Sequence, residues 1–209
     1  IMLKTKNYDF KYIRNGVDTN KFNKVSVEIK QDIRKKLNLP EDKKIFIVSG
    51  SISQRKNPKI IIEVFNQRLD QNEFVVFIGD GPMRKECEQL SKNKNILFLG
   101  NVPNVVEYLQ ASDYYISSSL AEGLPNSVME AMSVGLPCVL SNILPHQEII
   151  SLDERTGELF GFKQESLNQA IDKILNKDFQ ASSDQARDLI VNHLSDKIMS
   201  QQYQDIYLS

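Results

Sequence analysis

The chain has 209 residues, 41% hydrophobic and 25% charged, which is enough apolar material for one sizeable core and excludes a disordered composition. Its 26 basic and 27 acidic side chains are mixed along the sequence and leave a formal net charge of −1, so no field of the whole molecule would draw in nucleic acid or an acidic membrane, and any anion site must be local. No apolar run approaches the roughly 20 residues that cross a bilayer, the start IMLKTKNYDF has no secretory signal pattern, and the chain is expected to be soluble. The two cysteines, Cys87 and Cys138, stand in apolar segments at no metal-ligand spacing and read as buried free thiols of a reducing compartment.

Residues 1–20 carry no amphipathic pattern of useful length, but Asn15-Gly16 within IRNGVDTNKF is a turn signal. Ile29, Ile33 and Leu37 then recur at four-residue spacing among charges and predict a surface helix over 28–38, closed by Asn38 and Pro40. From here strands and helices alternate. KIFIVSG (44–50), FVVFIGDGP (74–82), NILFLG (95–100), the run at 113–118, LPCVLS (136–141) and TGELF (156–160) read as strands; the first two are continuous apolar runs of the kind covered on both faces.

Helices are expected at 58–69, with Ile61, Ile62, Phe65 and Leu69 on one side, then up to Leu90, at 103–111, and from Leu124-Pro125 onward, where Val128, Ala131 and Met132 keep helical spacing. Beyond residue 165 the chain reads as helix only, over 165–176, 183–194 and 195–208, the last carrying Ile198, Tyr203, Ile206 and Tyr207. This alternation predicts an α/β fold with a doubly wound, Rossmann-like parallel sheet, in which ligands sit beyond the carboxyl ends of the strands.

Four loops follow those strand ends. The first, Gly50-Ser51-Ile52-Ser53-Gln54-Arg55-Lys56-Asn57-Pro58, is serine-rich with two cations; it has no Gly-x-Gly-x-x-Gly and no acidic partner for a ribose, which argues against a dinucleotide fold. The second is Gly79-Asp80-Gly81-Pro82 and the third Gly100-Asn101-Val102-Pro103, each readable as a plain strand-to-helix turn. The fourth runs from three serines through Glu122, Gly123, Leu124 and Pro125 into a helix whose first amides lack internal partners and favour an anion. Glu122 and Glu130 bracket that turn, about 12 Å apart if every residue between them were helical, roughly the span of a diphosphate with a sugar on each side. Beyond the fifth strand, SNILPHQEII reads as a loop in which His146 is an ordinary loop histidine, without a partner in motif spacing.

The string Glu122-Gly-Leu-Pro-Asn-Ser-Val-Met-Glu130 resembles the Glu-x7-Glu signature of retaining, family-four glycosyltransferases of the GT-B fold. The resemblance implies that the chain is the C-terminal, nucleotide-sugar-binding half of such an enzyme. Residues 1–20, with Asn15-Gly16-Val17-Asp18, would be the remnant of the interdomain linker, 21–194 the donor domain, and 195–209 a helix bracing an N-terminal domain that lies outside this chain. It further implies that Glu122 approaches the donor sugar, Glu130 binds ribose hydroxyls, and the intervening Gly123, Leu124, Pro125 and Asn126 hold phosphates. Gly79 and Gly81 would lie beneath the donor, and Asn101 and Val102 would flank the base.

In the first loop the family usually has Gly-Arg-Leu-x-x-x-Lys; Gly50 and Lys56 match, Ser51 stands where arginine is usual, and whether Arg55 makes up the lost charge is left open. Glu148 stands where the family often has a glutamate. A retaining transfer from a UDP-sugar without cofactor or divalent metal is implied, in agreement with the lack of an Asp-x-Asp. Also implied are bacterial cell-surface polysaccharide synthesis, capsule or lipopolysaccharide, and a cytoplasmic location, with peripheral attachment of the full-length enzyme to the inner face of the membrane as an alternative. The competing reading is a non-catalytic doubly wound nucleotide- or sugar-binding module of flavodoxin-like or periplasmic type; an epimerase or phosphorylase of the same fold would show a different loop set.

Overall fold

Each of the six apolar runs forms a strand. A computed structural model describes residues 13–68 and 72–208. In it β1 (Lys44–Ser49), β2 (Glu73–Ile78), β3 (Ile96–Gly100), β4 (Tyr114–Ser117), β5 (Cys138–Ser141) and β6 (Gly157–Phe160) make one sheet in the order β3-β2-β1-β4-β5-β6. Every neighbouring pair is parallel. Parallel strands require crossover connections that leave helices on both faces, which explains why these runs are apolar throughout instead of alternating.

Successive residues point into two separate cores. Ile45, Ile47, Val76, Ile78, Tyr115 and Leu140 pack on one side, while Phe46, Val75, Phe77, Tyr114, Ile116 and Val139 pack on the other. The helices α2 (Pro58–Gln67), α3 (Arg84–Leu90) and α7 (Gln164–Leu175) close the second core. The first is closed mainly by α4 (Val105–Ala111), α5 (Asn126–Ser133) and α8 (Phe179–His193), with α1 (Val27–Lys36) at its margin. The strand order reverses between β1 and β4, so the loops leaving these two strands diverge and a crevice opens between them.

Most sequence-based bounds hold to within a few residues; Leu69, expected on α2, lies outside the described residues. The second strand ends at Ile78, so Gly79-Asp80-Gly81 is entirely loop. The eighth helix starts at Phe179 instead of 183 because Asp178 caps it, its side chain accepting from the Ala181 amide at 3.1 Å. Asp178→Ala should therefore cost about 1 kcal/mol and lower the thermal midpoint by roughly 2–4 °C in a chain of this size, read by calorimetry.

One expectation fails. Residues 144–150 are a helix, α6 (Leu144–Ile150), not a loop, and His146 is fully buried within it. Pro145 falls in the first turn, where a missing N–H costs nothing, so it starts this helix instead of breaking it. Both cysteines are free and buried, as expected.

Residues 17–22, ahead of α1, are held against the helices that follow the sheet. Val17 donates to the Leu194 carbonyl and accepts from Asp196 N, both at 2.9 Å, at the start of α9 (Asp196–Leu208). Arg187 donates to the carbonyls of Thr19, Phe22 and Ser133. Tyr203, Tyr207 and Leu208 on α9 are exposed. Among the described residues no helix is long and apolar enough to cross a membrane.

Candidate donor-binding site

At the carboxyl end of the sheet the loops are joined backbone to backbone. Gly50 N donates to Ile78 O, Ile52 N to Asp80 O and Gly79 N to Gly100 O, which binds the first three loops into one platform. Gly79 has φ +120°, and a Cβ there would collide with the Gly50 carbonyl, so only glycine allows this approach. A Cβ on Gly81 would meet the Ile52 backbone; this residue packs the second loop against the first. On the open side of the platform lies a cavity of about 360 Å³, lined by Gly50, Ser51, Gly79, Asp80, Asn101 and Val102 among others. Four of the predicted loop positions thus share one cavity with Val102.

The loops after β1 and β4 meet across the crevice. Ser118 Oγ lies 2.8 Å from the Lys56 carbonyl and 2.9 Å from that of Asn57, and Leu120 N donates to Arg55 O at 2.8 Å. Residues 54–56 form a single 3-10 turn that ends on Asn57 in the left-handed region, φ 48°. The turn carries both cations to one carboxylate. Glu122 Oε1 accepts from Lys56 Nζ at 2.6 Å and from Ser119 Oγ at 2.7 Å, and Oε2 accepts from Arg55 Nη1 at 2.9 Å. Arg55 also donates to the Ala121 carbonyl.

The Glu122 side chain is 8% exposed, Lys56 20% and Arg55 53%, so the acid is enclosed by its partners. Burial works to raise the Glu122 pKa, but hydrogen bonds from Lys56, Ser119 and Arg55 hold it below the usual carboxylate range. Tyr115 forms part of the floor, its hydroxyl 3.2 Å from Ser49 Oγ, and burial pushes it up to about 12.

Helix α5 begins at Asn126, two residues later than the apolar pattern suggests, with Pro125 as its cap. The amides of Asn126, Val128 and Met129 are taken by the carbonyls of Leu124 and Pro125. Those of Gly123, Leu124 and Ser127 have no partner among the described residues and remain for an anion. Gly123, Leu124 and Pro125 also border a small apolar pocket with Arg14 and Glu148, while Asn126 is exposed.

Glu130 is half-buried on α5, and its carboxylate has no hydrogen-bond partner among the described residues. Burial raises its pKa, with Lys21 opposing. Three groups escaped the sequence reading: Ser119, Ser141 and His146, all fully buried. The serine triplet after β4 was the one visible signal for the first of them; nothing local marked the other two.

The family described as glycosyl transferases group 1 matches residues 29–192. The UDP-Gal:alpha-D-GlcNAc-diphosphoundecaprenol alpha-1,3-galactosyltransferase of Escherichia coli is 30% identical over 201 residues, 90% of this chain and 49% of that protein, so the chain spans about half the length of this relative. The crystal structure of Anabaena HepE in complex with UDP and glucose superposes with a TM-score of 0.81 at 21% identity, covering 94% of this chain and 56% of that one. The C-terminal domain of a glycosyl transferase group 1 family protein (LpcC) from Francisella tularensis does so with a TM-score of 0.73 at 21% identity, over 86% of this chain and 99% of that one. The two structures share the expected Rossmann-like fold of a GT-B glycosyltransferase. The family match, over most of the chain, settles the assignment: the protein belongs to the glycosyl transferases group 1 family.

Proposed function

We propose that this chain is the donor-binding half of a retaining glycosyltransferase, holding a UDP-sugar for transfer to an acceptor hydroxyl. The observation that carries the reading is the meeting of Lys56, Arg55 and Glu122 immediately before the open amides of Gly123, Leu124 and Ser127. Cations and amides suit a diphosphate; a carboxylate beside them suits sugar hydroxyls. In this arrangement the base lies against Asn101 and Val102, the ribose diol binds Glu130, the diphosphate spans Gly50, Ser51 and Lys56, and the sugar reaches Glu122. Gly79 and Gly81 set the platform beneath, and Arg55 replaces the cation that Ser51 does not supply.

In the transfer, the bond from the anomeric carbon to the diphosphate oxygen breaks and its electron pair leaves with the diphosphate. The acceptor oxygen bonds the same face, and its proton passes to the departing phosphate oxygen. Lys56, Arg55 and the loop amides take up the charge that develops on the diphosphate, in place of a divalent cation. Glu122 orients the sugar.

The acceptor site belongs to an N-terminal domain of the same polypeptide, joined through residues 1–20 and braced by 195–209, whose exposed Tyr203, Tyr207 and Leu208 suit such a contact. Residues 21–194 hold the donor, and without the other domain they bind it but transfer little. The diphosphoundecaprenol acceptor in the name of the Escherichia coli relative supports a role in bacterial surface polysaccharide assembly, such as capsule or lipopolysaccharide, at the cytoplasmic face of the membrane.

Heat protection tests the reading. UDP at 100 times its dissociation constant should stabilise the chain by about 2.7 kcal/mol and raise its thermal midpoint by roughly 5–10 °C, whereas flavin mononucleotide should not. If no nucleoside diphosphate protects the chain, the donor-site assignment is lost.

A further inference from the structure

Behind the ion-pair cluster lies a layer of buried polar groups that the proposed function leaves unused. His146 Nδ1 is 2.9 Å from the Ser141 carbonyl and 3.2 Å from Ser141 Oγ. A carbonyl has no proton to offer, so Nδ1 carries the hydrogen, and the lone pair of the neutral ring is left on Nε2, which is buried without a partner among the described residues. Burial favours that neutral ring. Ser141 Oγ donates to the Ser119 carbonyl at 2.6 Å, and Ser119 Oγ donates to Glu122 Oε1 at 2.7 Å. His146, Ser141 and Ser119 are each 0% exposed, so no solvent competes for these bonds. A continuous series of contacts therefore runs from α6, across the end of β5, to the acid after β4.

An apolar side chain of similar volume would fill the same space without the uncompensated acceptor. The Ser141 carbonyl also accepts from the Ile143 amide at 2.8 Å; what such a side chain could not do is give it a second donor and hold the Ser141 hydroxyl that in turn holds the Ser119 backbone. We propose that His146 is a positioning residue for Glu122: by anchoring Ser141 it sets the Ser119 main chain, and Ser119 Oγ in turn aims the carboxylate toward the donor sugar. The inference rests on the proposed donor site. It adds that the sugar end of that site, and not the diphosphate end, depends on a ring on α6.

The test uses this 209-residue chain and calorimetric titration with UDP and with UDP-glucose. UDP is held by Lys56 and the loop amides, and the sugar adds the contact with Glu122. His146→Leu and Ser141→Ala are each expected to lower the ratio of UDP-glucose to UDP affinity about tenfold, the scale of one misdirected charge-assisted bond, while UDP binding stays within about twofold. His146→Asn, whose side-chain amide can donate toward the Ser141 carbonyl as Nδ1 does, should return the ratio to within about threefold of the parent. Because Ser141→Ala removes a single hydroxyl, it supplies the answer should His146→Leu fail to fold. Equal losses for both ligands, following the fall in thermal midpoint, would mean that His146 only supports the fold and would overturn the inference. Unchanged ratios in both variants would do the same while leaving the donor site standing. A parent chain that binds neither ligand would remove the donor site, and this inference with it.

Discussion

Lys56→Ala is expected to weaken UDP binding about 30- to 100-fold and to change uridine binding by less than about twofold, measured by calorimetric titration. A charge-assisted hydrogen bond contributes about 1.5–3 kcal/mol, and each 1.4 kcal/mol is roughly tenfold in affinity. Lys56 lies toward the upper end because its side chain is only 20% exposed and faces a crevice floored by buried Tyr115. The substitution should leave the loop in place, since Glu122 keeps its bonds from Ser119 and Arg55, and the Lys56 carbonyl still accepts from Ser118. Uridine has no phosphate for the ammonium to meet. An equal loss for nucleoside and nucleoside diphosphate would remove Lys56 from the phosphate role and point to a collapsed loop instead.

Glu130→Ala is expected to lower UDP affinity about 10- to 30-fold yet leave the affinity for 2′,3′-dideoxyuridine diphosphate within about twofold, because only the ribose hydroxyls give this carboxylate something to accept. Equal losses for the two nucleotides would show that Glu130 acts elsewhere. The pH dependence follows from the same environment. Burial raises the Glu130 pKa against the pull of Lys21, so acidification discharges this group earlier than an ordinary glutamate, while Glu122, held low by its donors, stays ionised. UDP affinity should fall as pH drops through that raised value. Since the ligand's own terminal phosphate also titrates near pH 6, the informative quantity is the parent chain minus Glu130→Gln, a difference that should vanish at low pH. The sign for stability is opposite: an ionised Glu130 costs folding free energy, so Glu130→Gln should be the more stable chain above that pKa.

The architecture was legible because its determinants are local. Runs such as KIFIVS and EFVVFI are too apolar for anything but strands covered on both faces, and the spacing between them leaves room only for crossovers. The acidic pair and its glycine were legible for a similar reason, as they sit within nine consecutive residues. What escaped was contact at long range. That Arg55 reaches Glu122 depends on a 3-10 turn facing a loop 67 residues away, and no spacing rule encodes it. Glu122 itself could be read as a solvated loop residue until the structure surrounded it with three donors. Leu144–Ile150 reads as a loop in the sequence, and Pro145, which starts this helix from its first turn, does not by itself announce it; with the helix went the meaning of His146.

The saturated Glu122 carboxylate has a kinetic consequence. It sits on both cations at contact distance and offsets one of their two charges, which roughly halves the positive field that the crevice projects into the solvent. An arriving diphosphate feels this weakened pull within about a Debye length and then trades places with an internal anion at close quarters. Association should therefore be slower and less sensitive to added salt than two unpaired cations would make it.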